Sequence, residues 1–187
     1  MRSGPPLLVL VLASSSAHAD NGLSLELGYL RNQVAVTDQT ALAGEAVRFT
    51  IKVSNGPFFH WGAEAEEGRL SGSTRLPGGA VARSIGQPQP SPLEGNTLGL
   101  KLLAGAHTTI GRLMFSSDLA AGVRDTWVSS DLGIDVAGRK KAALIELRAR
   151  ADVWLSSTTT IGAVATADLL ERRDVSLGLV LALHFTR

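Results

Sequence analysis

The closing stretch, residues 174–186, constrains this chain more than any other. Val175, Leu177, Leu179, Leu181, Leu183 and Phe185 occupy one parity, and Ser176, Gly178, Ala182, His184 and Thr186 occupy the other. Val180 alone breaks the rule. A period of two is the signature of a strand with one face in an apolar medium and the other in polar or cramped surroundings.

Seven further segments keep the same rhythm. In 23–30, Leu23, Leu25, Leu27 and Tyr29 oppose Ser24, Glu26 and Gly28, and in 46–53 Val47, Phe49, Ile51 and Val53 oppose Arg48, Thr50 and Lys52. Segments 58–66, 98–105 (with Leu103 out of phase), 111–124, 143–153 and 159–168 alternate likewise. Residues 140–154 also suit an amphipathic helix, since Glu146–Arg150 and Arg148–Asp152 have i,i+4 spacing. Strict alternation over 143–153 favours a strand. Tight turns are expected at Asn55-Gly56-Pro57, 106–109 and Ser156-Ser157-Thr158, and longer loops at 31–44, 67–96 and 127–141, with a short link from Leu170 to Arg173. Eight strands with tight turns on one rim and long loops on the other predict an antiparallel up-and-down transmembrane β-barrel.

The N-terminus reads as a signal peptide. Arg2 is followed by an apolar run from Leu7 to Ala13 and by Ala17-His18-Ala19, an A-x-A cleavage site before Asp20. Residues 1–19 are therefore expected to be removed after Sec-type export, leaving 20–187 as one barrel domain. Without Arg2, 17 basic residues face 17 acidic ones (18 − 1 against 17), a balance that argues against a nucleic-acid partner. The chain has no cysteine, which excludes a disulfide framework and thiolate chemistry. After the signal no apolar run is long enough for a transmembrane helix, so a membrane location requires a barrel.

Alternation alone leaves two orientations open. A soluble lipocalin-like barrel would hold the apolar face inside and bind an apolar ligand there, whereas a membrane barrel turns that face to lipid. The opposite face carries many glycines and a balanced charge set. It places Glu26, Glu64, Glu66, Asp118, Glu146, Asp152 and Asp168 against Arg48, Lys52, Lys101, Arg112, Arg124, Arg148 and Arg150. Seven against seven suits an internal ion-pair network, because buried charge is tolerated only when paired. Val175, Leu177, Leu179, Leu181, Leu183 and Phe185 are then the lipid-facing residues of the closing strand.

On strand count, turn asymmetry and the Val175–Phe185 pattern, the chain resembles the small eight-stranded outer-membrane barrels of the OmpA/OmpX type. The resemblance implies outer-membrane localisation and insertion by the assembly machinery that recognises a terminal strand ending in an aromatic. Here Phe185 is followed by Thr186 and Arg187. It also implies contact with outer-membrane lipid, including lipopolysaccharide, toward which the basic runs Arg139-Lys140-Lys141 and Arg172-Arg173 are candidates.

Little in the chain points to catalysis. His60, His107 and His184 have no metal-ligand spacing, and nucleotide and hydrolase motifs are missing. His184, His60 beside Glu64, or the Glu64–Glu66 pair could serve a lipid-modifying enzyme, but lumen filling explains them equally. No cofactor is implied. A barrel of eight strands has room only for its own side chains, which disfavours a wide pore. The expected role is non-enzymatic, either structural or surface-interacting.

Overall fold

A computed structural model describes residues 22–37, 40–74, 91–130, 138–171 and 174–186. The signal segment and Arg172-Arg173 lie outside them. Eight strands follow in order: β1 (Gly22–Thr37), β2 (Thr40–Asn55), β3 (Phe59–Thr74), β4 (Ser91–Ile110), β5 (Leu113–Ser130), β6 (Gly138–Trp154), β7 (Thr159–Asp168) and β8 (Val175–Thr186). Each pairs antiparallel with the next, and β8 pairs with β1 from Gly22↔Thr186 to Gln33↔Val175 to close the barrel. Residues 140–154 are strand throughout, laddered to β5 over 140–153 and to β7 over 146–154. Two hydrogen-bonded neighbours decide what helix propensity left open.

Two sequence expectations require correction. Residues 106–109 are not a turn: they continue β4, paired with 114–117, and the reversal is Gly111-Arg112 with Gly111 at φ 62°. A glycine enters that left-handed region without the Cβ clash other residues meet. The supposed loops 31–44, 67–96 and 127–141 are entered by strand from both ends, through 31–37 and 40–44, 67–74 and 91–96, and 127–130 and 138–141, while 38–39, 75–90 and 131–137 lie outside the described residues.

The reason is a reversal of the pattern's sign along the barrel. In the lower part the outward parity is apolar: Leu98, Leu100, Leu102, Ala104 and Ala106 on β4, and Leu113, Phe115, Leu119, Ala121 and Val123 on β5. Residues 98–106 and 113–123 are nine and eleven residues long, the length a tilted strand needs to cross a bilayer. Toward the rim carrying the β1–β2, β3–β4, β5–β6 and β7–β8 connections (the loop side), the outward residues become Arg31, Gln33, Glu45, Glu67, Arg69, Glu94 and Asn96. Among the inward ones there, Val34, Leu42, Leu70, Leu93 and Val128 form one buried apolar cluster, and a second, of Leu30, Ala46, Val164 and Val180, lies lower down beside the inward charges, with Val164 paired to Arg150. Apolar-out is the pattern of a strand in lipid, and apolar-in that of a strand in water. A search for one constant phase therefore ends each strand at the change of medium. Leu103 and Val180, out of phase in the sequence, are inward and buried.

Candidate functional site

The lumen is built in three tiers, with the Val34, Leu42, Leu70, Leu93 and Val128 cluster at the loop side above two tiers of charge. In the middle tier, strand register brings Arg48 beside Glu66 and Glu64 beside Lys101. Arg48 contacts Glu64 at 3.1 Å and Glu66 at 2.8 Å. Lys101 Nζ lies 3.3 Å from Glu64, 2.9 Å from Glu66 and 2.8 Å from Glu146. Arg148 grips Glu64 at 2.5 Å and Glu146 at 2.7 Å. Arg124 adds Glu146 at 3.4 Å and pairs with Asp174. Four carboxylates thus meet four cations, and each group has charged partners. Such pairing offsets the desolvation cost that a lone charge would carry. Gly122 stands opposite Lys101, where a Cβ would fall 2.1 Å from the Leu100 carbonyl and 2.7 Å from Lys101 Cα. The lysine and its ladder fit because that position has no side chain.

The third tier lies toward the short turns (the turn side). Lys52 bridges Asp118 at 3.0 Å and Glu26 at 3.4 Å, and Arg150 bridges Glu26 at 2.6 Å and Asp152 at 2.7 Å. His60 Nε2 sits 2.5 Å from Asp118 Oδ1 and His60 Nδ1 3.2 Å from His107 Nδ1. His184 bonds Thr160 at 3.0 Å and lies against the Trp154 ring at 4.7 Å between centroids. A void among Glu26, Arg48, Lys52, Glu64, Asp118, Arg148 and Arg150 measures about 10 Å³, room for about one water. The charged tiers leave no wide channel among these residues.

The outside is equally ordered. Leu102, Val123, Leu177 and Leu179 are among the most exposed apolar side chains, at 71%, 59%, 65% and 61%. Leu, Val and Phe project all round the lower wall while every ion pair of the two charged tiers is inside. Water would not tolerate that arrangement, and a bilayer requires it. The chain is a transmembrane β-barrel.

Comparisons with known proteins agree on the fold. No family model matches, and no curated protein matches. Among solved structures, the attachment invasion locus protein Ail of Yersinia pestis aligns at TM-score 0.51 and 15% identity over 89% of this chain and 99% of that one. The same protein in complex with the heparin analogue sucrose octasulfate aligns at TM-score 0.50 and 16% identity, again over 89% and 99%. A de novo designed transmembrane β-barrel aligns at TM-score 0.53 and 8% identity over 88% and 96%. Identities this low speak for the architecture alone.

The barrel places the residues singled out in the sequence as follows. Glu26, Arg48, Lys52, Glu64, Glu66, Lys101, Asp118, Arg124, Glu146, Arg148, Arg150, Asp152 and Asp168 are inward and buried. Arg112 is not: it is exposed in the Gly111-Arg112 turn, where the strand pattern has ended. Asp168 accepts the Leu170 amide at 2.8 Å, a backbone cap at the strand end. Glu64 and Glu66 are both held in ion pairs, and His60 partners Asp118, not Glu64. Sequence reasoning missed Asp174, which continues the inward parity of β8, and His107, which fell within the misplaced turn. Val175, Leu177, Leu179, Leu181, Leu183 and Phe185 are exposed on the outer wall.

Two further features lie at the loop side. Arg139 pairs with Asp125 and covers the Trp127 ring at 5.0 Å. The guanidinium hydrogen bond holds the Asp125 carboxyl below the usual range. A broad open concavity of about 1290 Å³ on the upper outer wall is lined by Tyr29, Arg31, Glu45, Arg69, Leu177 and Leu179, among others.

Proposed function

We propose that this chain is exported, cleaved after Ala19, and inserted by the outer-membrane assembly machinery as a non-enzymatic barrel acting through its loop-side surface. One observation carries this: a lumen filled by ion pairs and capped by Leu and Val leaves only the ends and outer wall for contact with other molecules. The rim of the Gly111-Arg112 turn then faces the periplasm and the rim with the long β3–β4 and β5–β6 connections the exterior, as bacterial barrels are oriented. Leu177, Leu179 and Leu183 face lipid.

The partner class that fits the outer wall is an anionic amphiphile, such as lipopolysaccharide. Arg31 and Arg69 offer phosphate-binding guanidiniums directly above the apolar belt, and Tyr29, Leu177 and Leu179 cover acyl chain. That Ail was solved with a sulfated heparin analogue accords with anion binding by a barrel of this fold.

The test uses the absence of cysteine. Arg69→Cys and Gly111→Cys each introduce a single thiol, to be probed with a membrane-impermeant maleimide on intact cells. Arg69→Cys should label at once, and Gly111→Cys only after the outer membrane is opened. Fractionation should recover the protein with the outer membrane as a heat-modifiable band. Recovery from the periplasm without detergent would overturn the reading in favour of a soluble ligand-binding barrel.

A further inference from the structure

The turn-side end of the lumen carries a histidine arrangement that neither the ion-pair network nor a surface role requires. His60 on β3 and His107 on β4 are diagonal neighbours: His60 faces Gly105 in the ladder, and the His107 amide donates to the Phe58 carbonyl at 2.8 Å. Their Nδ1 atoms approach to 3.2 Å. Two nitrogens bound to one tetrahedral metal ion at ~2.0–2.1 Å would stand about 3.3 Å apart. The other nitrogen of His60 is already committed, since Nε2 meets Asp118 Oδ1 at 2.5 Å. A carboxylate accepting from Nε2–H fixes the tautomer and leaves the Nδ1 lone pair directed at His107. An imidazole oriented by a carboxylate behind it is the outer-shell arrangement that metal-binding histidines use.

Two more observations support a cation here. Gly105 is necessary to the arrangement: a Cβ at that position would lie 2.3 Å from Asp118 Oδ1 and 2.9 Å from His60 Nε2. The tier also holds three carboxylates, Glu26, Asp118 and Asp152, against two permanent cations, Lys52 and Arg150, with His60 as the further partner of Asp118, whereas the middle tier has four of each. His107 is only part-buried and stands near the turn-side mouth, so an ion can arrive from that side without crossing the charged middle tier. Among the described residues no group of three or more histidine or carboxylate side chains converges on one point. The coordination would be two nitrogens, with water in the remaining positions.

We infer that His60 Nδ1 and His107 Nδ1, oriented by Asp118 and given room by Gly105, form a binding site for a divalent transition metal such as Zn²⁺ or Cu²⁺ at the turn-side mouth of the barrel. Binding would need no net loss of a proton from neutral imidazoles. The proton that bridges the two Nδ1 atoms would pass to His107 Nε2, leaving both Nδ1 lone pairs for the metal.

The experiment titrates tag-free, detergent-refolded mature barrel with ZnCl2 by calorimetry and with CuSO4 by electron paramagnetic resonance. One ion per barrel is expected, with two-nitrogen hyperfine structure for copper. His107→Ala, whose side chain is part-exposed, should keep the heat-modifiable fold and weaken binding at least tenfold. Asp118→Asn keeps the size of the positioning group and should weaken it roughly 10–100-fold. If Asp118→Asn fails to fold, nitrogen-15 histidine spectra of the unmutated barrel serve instead, where zinc should shift both Nδ1 resonances. Absence of binding to the unmutated barrel, or binding that His107→Ala leaves unchanged, would reduce the pair to a plain histidine–histidine hydrogen bond.

Discussion

Lys101 is the most informative residue to perturb. Its side chain is fully buried and its ammonium touches Glu64, Glu66 and Glu146 within 3.3 Å. Lys101→Met keeps the length and removes the charge, turning a tier of four cations and four carboxylates into three against four. Removing one partner of a buried ion pair costs about 3–5 kcal/mol, because the remaining charge is left uncompensated. Arg48, Arg124 and Arg148 still serve all three glutamates, so the lower end applies, about 3 kcal/mol. With a urea dependence of about 1–3 kcal/mol per molar, the unfolding midpoint should fall by roughly 1–3 M. The assay is urea unfolding of the barrel in lipid vesicles, followed by the heat-modifiable gel shift. Adding Glu146→Gln removes the surplus carboxylate, and the double variant should regain about 1 kcal/mol or more relative to the additive sum. A midpoint for Lys101→Met equal to that of the unmutated barrel, or a double variant at the additive sum, would refute the view that the lumen is held by compensated buried charge.

Other consequences are simpler to measure. Leu102→Arg, in the middle of the apolar belt, should cost about 2–4 kcal/mol in vesicles, while Asn96→Arg above the belt should cost about 0–1, whereas a water-soluble barrel would tolerate both. Gly122→Ala should destabilise by about 1–3 kcal/mol in the same urea titration, through overpacking against Leu100 and Lys101. Outside the belt, Arg139→Ala should move the Asp125 carboxyl titration up toward its ordinary value, read by carbon-13 NMR, because the guanidinium stabilises the ionised form. The direction follows from a folded-state pKa held low: the stabilisation is present above the ordinary carboxylate range and is lost as the pH falls through the depressed value. The pair lies at the surface, with Arg139 exposed and Asp125 half-buried, so the urea midpoint itself should move little.

Much of this protein was legible in one dimension. Strand count, order and antiparallel closure follow from a period of two repeated in eight segments, because side chains on a strand must alternate. The inward set was legible for the same reason: Glu64, Lys101 and Arg148 lie on their strands' polar parity whatever the neighbours do. Where the medium changes, the rule fails. The upper halves of β1 to β6 read as loops because their outward residues turn polar and their inward ones apolar, and a single phase cannot describe both sides of a membrane boundary. Arg112 and His107 were misjudged because the β4–β5 reversal depends on Gly111 adopting a left-handed conformation, which parity does not reveal. The sequence by itself determined which residues could be inside. Only the closed barrel decided who meets whom: Lys101 with three glutamates from β3 and β6, and His60 with Asp118 from β5 across the space that Gly105 leaves open. Those contacts join residues 35 to 84 positions apart, and they depend on barrel closure and strand stagger, which no local pattern encodes.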